Sequence, residues 1–230
     1  EAGVEMGKFF ADKGIKTAAI YGAFIPNPMH VYRTAGVLAG LGLSYGGATT
    51  EEDVVGLIFA DQGIDLSKIS GDIKIVSYLQ GYGDTTTDEI NAAIQAAPEA
   101  FISVGMATTF FTQQLNAAGI EFSDIDSFTK SNGEAITNGK LVYLAGKYSS
   151  SVGPAFALVM NAINGNVIRD AQGNAVSLSQ NYQVATDSET FDKFYKNDNG
   201  DNPIYSRDTL DQIIGDTVTF DTINEGGGSY

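Results

Sequence analysis

The sequence predicts a doubly wound parallel α/β sheet. Short apolar runs alternate with stretches of helical periodicity, the pattern of repeated β-α units. Glycine, proline or asparagine punctuates nearly every junction. At 230 residues the chain is short for an eight-fold barrel, which takes about 250.

Residues 1–13 read as helix, with Val4, Met6, Phe9 and Phe10 apolar and Gly14 as C-cap. No N-cap precedes Glu1, so the chain reads as cut from a longer protein, starting inside a helix. Thr17 to Tyr21 is a buried strand. Gly22 to Met29 holds two prolines and an asparagine and cannot extend it. From about His30 to 43 a helix is predicted, with Val31, Ala35, Leu38 and Leu41 on one face. Thr50 and Asp53 have capping-box spacing before an apolar helix through Val54, Val55, Leu57, Ile58 and Phe59, ended near Gly63. Ile73–Leu79 is the second strand. A helix over 85–97 follows, with Thr86 and Glu89 as its capping box and Pro98 as its stop. Ala100–Val104 is the third strand, followed by a helix over 108–118. The fourth strand, near 122–128, is weak and polar. A short helix near 132–137 leads to the fifth strand, Leu141–Ala145.

After Gly146 the character changes. KYSSSVGP is a joint, then a helix over 151–164 carries Val152, Phe156, Val159 and Ile163 at helical spacing. In a chain cut as above, that face would be partly exposed or covered only by the tail. A hairpin or turn is predicted around Gln172, Gly173 and Asn174, with a strand near 176–184. Asp187 caps a helix through Phe191, Phe194 and Tyr195. Residues 197–203 are a loop, and Ser206 caps a last helix through Leu210, Ile213 and Ile214. The GGGSY end is read as disordered.

Composition narrows the function. Net charge is −15, which leaves no basic footprint for nucleic acid. There is no cysteine and one histidine, His30, poor material for a zinc site. No apolar run reaches membrane-spanning length. The sequence lacks GxSxG, HExxH, Walker A and GxGxxG patterns. GYGDTT at 81–86 reads as a plain strand-helix turn, since it has no lysine for a phosphate. DNGDN at 198–202 reads as a solvated turn, since no glutamate closes a calcium loop. His30 reads as a local hydrogen-bonder. An enzyme, a cofactor and a metal are therefore not expected.

Open α/β folds bind ligands at the carboxyl ends of their strands. The loops expected there carry Phe24, Met29, Tyr32, Arg33, Tyr82, Met106, Ser127 and Tyr148. Aromatic faces beside one guanidinium suit a small polar ligand with an apolar face, such as a sugar.

EAGVEMGKFFADKGIKTAAIYG, YRTAGVLAGL, LNAAGI and AITNGKLVYLAGKYSSSVGPAFALVMNAINGN follow one another in a familiar order. Over about residues 1–185 the chain resembles type I periplasmic binding proteins, the sugar-binding components of ABC import systems. It is also similar to the ligand-binding half of lac-repressor-type regulators. The most specific pieces are Arg33-Thr34-Ala35-Gly36 and the NGKL segment at 138–141. The resemblance implies a Rossmann-like ligand-binding lobe at 1–146, a hinge crossover and partial other lobe at 147–186, and a helical extension at 187–230. Most of the first lobe would be missing. Arg33 matches an arginine that holds sugar hydroxyls, and Tyr82 an aromatic position after the second strand. Lys147 stands where a hinge glutamine is common. Val104-Gly105 replaces Asn-Asp, and Asp126-Ser127-Phe128 is shifted from Gly-Phe-Asp.

The resemblance implies a non-enzymatic receptor that closes on a small solute and hands it to an ABC permease. It would be extracellular, either periplasmic or a cell-surface lipoprotein, and would meet the membrane only through a lipid anchor outside this chain. The sensing domain of a regulator and a small flavodoxin-like enzyme are the alternatives.

Overall fold

The computed structural model describes residues 1–25, 27–48, 50–82, 84–178, 182–199 and 204–226. The main sheet is built from β1 (Thr17–Tyr21), β4 (Lys74–Leu79), β5 (Ala100–Ser103), β6 (Glu121–Ile125), β7 (Leu141–Gly146) and β8 (Gln183–Ala185). Their order is β4-β1-β5-β6-β7-β8. All neighbours are parallel except β7 and β8, which run antiparallel, with Gly146 opposite Gln183. A two-stranded antiparallel sheet of β2 (Ser44–Tyr45) and β3 (Ile69–Ser70) sits beside it. That small sheet was not expected, because two-residue strands carry no periodicity.

The helices are α1 (Ala2–Asp12), α2 (Pro28–Gly40), α3 (Glu51–Asp61), α4 (Asp84–Gln95), α5 (Ala107–Phe110), α6 (Thr112–Ala118), α7 (Lys130–Asn138), α8 (Gly153–Ile163), α9 (Ser188–Asn199), α10 (Arg207–Gln212) and α11 (Phe220–Gly226). Several caps fall where the side-chain chemistry puts them. Thr50 accepts from the Asp53 amide, Asp187 from Thr190 and Ser206 from Thr209. The Thr86 cap of α4, residues 179–181 of the strand expected near 176–184, residues 200–203 and the last four residues lie outside the described residues.

Two expectations need correction. The helix over 108–118 is broken into α5 and α6 at Phe111, whose ring is buried between Tyr21 and Phe101. The loop expected from residue 197 begins later, because α9 runs through Asn199.

Helices α1 and α2 lie unusually close. A Cβ on Gly7 would stand 2.5 Å from the Val37 carbonyl, and one on Gly36 would stand 3.0 Å from the Val4 amide. Glycine at these positions lets the two backbones touch. The contact seats the N-terminal half of α2, including Arg33, against α1.

The polar fourth strand, β6, is buried from Phe122 to Ile125. Ser123 and Asp124 are buried, and their polar atoms are satisfied across the sheet. The Ser103 amide donates to Ser123 Oγ, and Asp124 accepts from Ser103 Oγ, the Thr108 amide and hydroxyl, and the Ile125 amide. A buried polar strand is tolerable on these terms.

Two cores result. The larger one runs from Met6 to Phe194 and includes α9 through Phe191 and Phe194. A second one packs α8 on the tail through Ala157, Ile213 and Ile223. Asn161 fastens it: its amide donates to Ile213 O, and its Oδ1 accepts from the Gly215 amide. The opposite face of α8 is open, with Val152, Phe156, Val159 and Ile163 between 46% and 71% exposed.

Candidate functional site

Five parallel strands end on one rim, at Tyr21, Leu79, Ser103, Ile125 and Gly146. Tyr182 reaches the same rim, since it precedes Gln183, which faces Gly146. The loop after β1 is pinned at several points. Asn27 Oδ1 accepts from the Met29 amide and starts α2. His30 Nδ1 lies 3.0 Å from the Phe24 amide and 3.1 Å from the Phe24 carbonyl, so the ring is fastened to the Phe24 backbone. Burial, with Arg33 adding to it, holds the imidazole below its usual value. His30 is thus the local hydrogen-bonder expected of it, and it fixes the loop that presents Phe24.

Arg33 leaves the second turn of α2 and reaches the loop after β5. Its Nη1 donates to the Val104 carbonyl at 3.0 Å, and its Nη2 donates to the Tyr182 hydroxyl. The guanidinium also lies 5.4 Å from the Tyr182 ring centroid. Lys147, exposed, places its ammonium 5.3 Å from the same centroid. Arg33, Lys147 and Tyr182 therefore form one corner, of which Tyr182 was missed from sequence. A tyrosine in a segment read as hairpin carries no local signal of that role.

The aromatic residues form a separate platform. Phe24 and Tyr82 are 44% and 58% exposed, with centroids 6.1 Å apart. Tyr82 stacks on Phe110 at 5.7 Å with 7° between the planes. Phe110 was not foreseen as a site residue, because it was read as one of a helical run. Met29 and Tyr32 are exposed on the first two turns of α2. Met106 stands exposed on the loop after β5, in a left-handed conformation with φ 71°.

Strand β6 ends at Ile125, so Asp126 heads the following loop rather than Ser127. Asp126 accepts from the Thr108 hydroxyl and the Ser127 amide. Burial pushes the Asp124 carboxyl above the usual carboxylate range, against the pull of its Thr108 hydrogen bonds. Ser127 is exposed on this loop, and its carbonyl accepts from Asn132. Tyr148 is elsewhere. It is buried against Phe128 and Phe194, and its hydroxyl accepts from Asn197. The structure does not bring it to the Arg33 corner.

A cavity of about 400 Å³ opens beside that corner. Arg33, Tyr182, Tyr143, Tyr32 and Met29 line it, with Glu1, Glu5 and Glu51 also on its walls. Among the described residues, the Tyr143 hydroxyl is the buried side-chain polar atom without a hydrogen-bond partner. Burial, then the nearby Glu5 charge, pushes Tyr143 up to about 12. Among the described residues, no cluster of three or more metal-ligating side chains is present.

No family model matches the sequence, and no curated protein is significantly similar to it. Solved structures are similar. One is an ABC transporter periplasmic solute binding protein from Actinobacillus succinogenes 130z with bound D-allose. It is 16% identical, with a TM-score of 0.52 over 84% of this chain and 60% of its own. Another is the periplasmic binding protein component of the arabinose ABC transporter from Shewanella sp. ANA-3, bound to arabinofuranose. It is also 16% identical, with a TM-score of 0.51 over 86% of this chain and 60% of its own. The chain shares the fold of these proteins and spans about 60% of the length of each.

Proposed function

We propose that this chain is part of the substrate-binding component of an ABC importer, and that it binds a small polar solute at the strand-end rim. The observation that carries the reading is Arg33. One helix turn delivers it across the rim to the Val104 carbonyl and to Tyr182, and the loops of the same rim carry a separate aromatic platform of Phe24, Tyr82 and Phe110. A sugar fits this pairing: its hydroxyls meet the guanidinium and its apolar face meets the rings. The shared fold of two sugar-bound neighbours supports the choice. Binding, not catalysis, is the role.

In this reading residues 1–146 are the ligand-binding lobe, 147–186 the hinge crossover with part of the other lobe, and 187–230 a helical extension. Phe24, Tyr32, Arg33, Tyr82, Met106, Ser127 and Lys147 face the solute, and Asp126 and Tyr182 join them. Tyr148 supports the hinge from inside the core. Ligand favours the closed arrangement of two lobes over the open one. A permease receives the solute, and a lipid anchor or the periplasm keeps the protein outside the cytoplasm. Calorimetric titration with a panel of pentoses and hexoses tests the reading. Saturable heat that Arg33→Ala removes supports it, and affinity unchanged in that variant sinks it.

A further inference from the structure

Thr108, in the first turn of α5, holds its hydroxyl between two carboxyl groups. Its Oγ1 lies 2.8 Å from Asp124 Oδ2 and 3.0 Å from Asp126 Oδ2. A hydroxyl has one proton to donate. It satisfies one of these oxygens, and its lone pairs then face the other. Ser103 repeats the shortage one strand back. Its Oγ lies 3.1 Å from Asp124 Oδ1 and 3.1 Å from the Gly105 carbonyl, again with one proton for two acceptors. With both carboxyls ionised, each hydroxyl would turn lone pairs toward an oxygen that offers only lone pairs. A carboxyl proton repairs the first of these contacts. On Asp124 Oδ2 it is donated to Thr108 Oγ1, and the Thr108 proton goes on to Asp126.

Asp124 is the better holder of that proton. It is fully buried, whereas Asp126 is half-buried and meets solvent. Among the described residues no cation is at ion-pair distance from either carboxyl. The groups that face Asp124 are the Tyr21 phenol from β1, Ser103 from β5, Thr108 from α5 and Asp126 from its own loop. From α2, His30 and Arg33 reach Gly105, each 3.7 Å from where a Cβ there would stand. Arg33 is engaged by the Val104 carbonyl and Tyr182. A buried charge without a counter-ion is costly, and a like charge beside it adds to the cost. The Thr108 hydrogen bonds favour the ionised form, but burial outweighs them.

We propose that Asp124 carries a proton, and that the chain from Asp124 through Thr108 to Asp126 is a pH-sensitive latch tying the loop after β6 to α5. Loss of the proton leaves the Thr108 hydroxyl with the buried Asp124 charge and frees Asp126 to turn to solvent. Asp126 and Ser127, which head that loop at the strand-end rim, move with it. The rim thus has two shapes, latched at lower pH and released at higher pH. The latch goes beyond the transport reading and stands whatever the solute. Aspartate in an unfolded chain ionises at about 3.9. Burial raises the folded value, so this group's share of stability is full below about pH 4 and is lost as pH rises through the folded value.

Carbon-13 NMR of the 230-residue chain tests the latch, with side-chain carboxyl signals assigned through the backbone and followed from about pH 3 to about pH 9. The Asp124 carboxyl should titrate above the ordinary carboxylate range, and the Asp126 and Ser127 amide signals should shift at that same midpoint. Asp124→Asn supplies a second measurement, because its amide donates to Thr108 at every pH. The urea midpoint of the wild type should fall relative to that of Asp124→Asn as pH rises through the Asp124 midpoint. An Asp124 carboxyl that ionises within or below the ordinary range overturns the proton and the latch with it. Amides of Asp126 and Ser127 that do not respond at the Asp124 midpoint overturn the latch.

Discussion

Replacing Gly7 with alanine tests how closely α1 must lie on α2. The added Cβ would stand 2.5 Å from the Val37 carbonyl oxygen and 2.9 Å from the Gly40 Cα. Both are backbone atoms, so no side chain can swing aside. Ordinary contact needs about 3.5 Å. The helices must therefore part by roughly 1 Å along this seam. Alanine inside a helix otherwise gains about 0.5–1 kcal/mol over glycine. Overpacking of this kind costs about 1–3 kcal/mol. Net destabilisation should be about 1–2 kcal/mol. Gly56 in α3 is the internal control, because it is exposed and a Cβ there meets nothing within 4 Å. Gly56→Ala should stabilise by about 0.5–1 kcal/mol. Urea unfolding followed by far-ultraviolet circular dichroism reads both. The two midpoints should move in opposite directions. A Gly7→Ala midpoint that rises like that of Gly56→Ala refutes the close-contact argument. Because Arg33 sits one turn before Val37, Gly7→Ala should also weaken solute binding.

Arg33→Ala should lose about 2 kcal/mol or more of binding free energy, since a polar solute would forfeit charge-assisted bonds; calorimetry reads the loss directly. Asn161→Ala leaves the Ile213 carbonyl and the Gly215 amide without their partner. It should cost about 1–3 kcal/mol and make 204–226 the first segment cut in limited proteolysis. An unchanged cleavage order would show that apolar packing alone holds the tail. Burial pushes Tyr21 and Tyr45, as well as Tyr143, up to about 12. Unfolded tyrosine ionises near 10, so between these values the folded state holds the protons more tightly. That contribution to stability is full below about pH 10 and is lost as pH rises toward 12. A phenolate absorbance titration should show a late-ionising class; uniform ionisation near pH 10 with the fold intact would contradict it.

The alternation of strands and helices was legible because it rests on local pattern. Thr17–Tyr21 and its neighbours are short runs ended by turn residues, and the buried face of α2 follows from spacing. What escaped prediction depends on distant partners. Ser123 and Asp124 look wrong for a buried strand until Ser103 and Thr108 are beside them. The break at Phe111 comes from a ring packing on Tyr21, ninety residues away in sequence. Of the candidate site residues, Arg33 was named from its motif, and Phe24 and Tyr82 from their loops. Tyr182 reaches Arg33 only because β8 folds back antiparallel on β7. Tyr148 was misjudged as a rim residue because nothing local announces that α9 covers it.

The strand order also sets a timetable for making the protein. β1 lies between β4 and β5, so Thr17 must wait for Lys74 before it gains its first neighbour. At about 5–20 residues per second on the ribosome, that wait lasts on the order of several seconds. Meanwhile α1 and α2 can already join through their glycine seam, holding a strand with both edges bare between them. Until then the strand's unpaired edges should be open to wrong strand partners. Occupancy by a chaperone should be greatest before residue 79 emerges and should fall once β4 can close that edge.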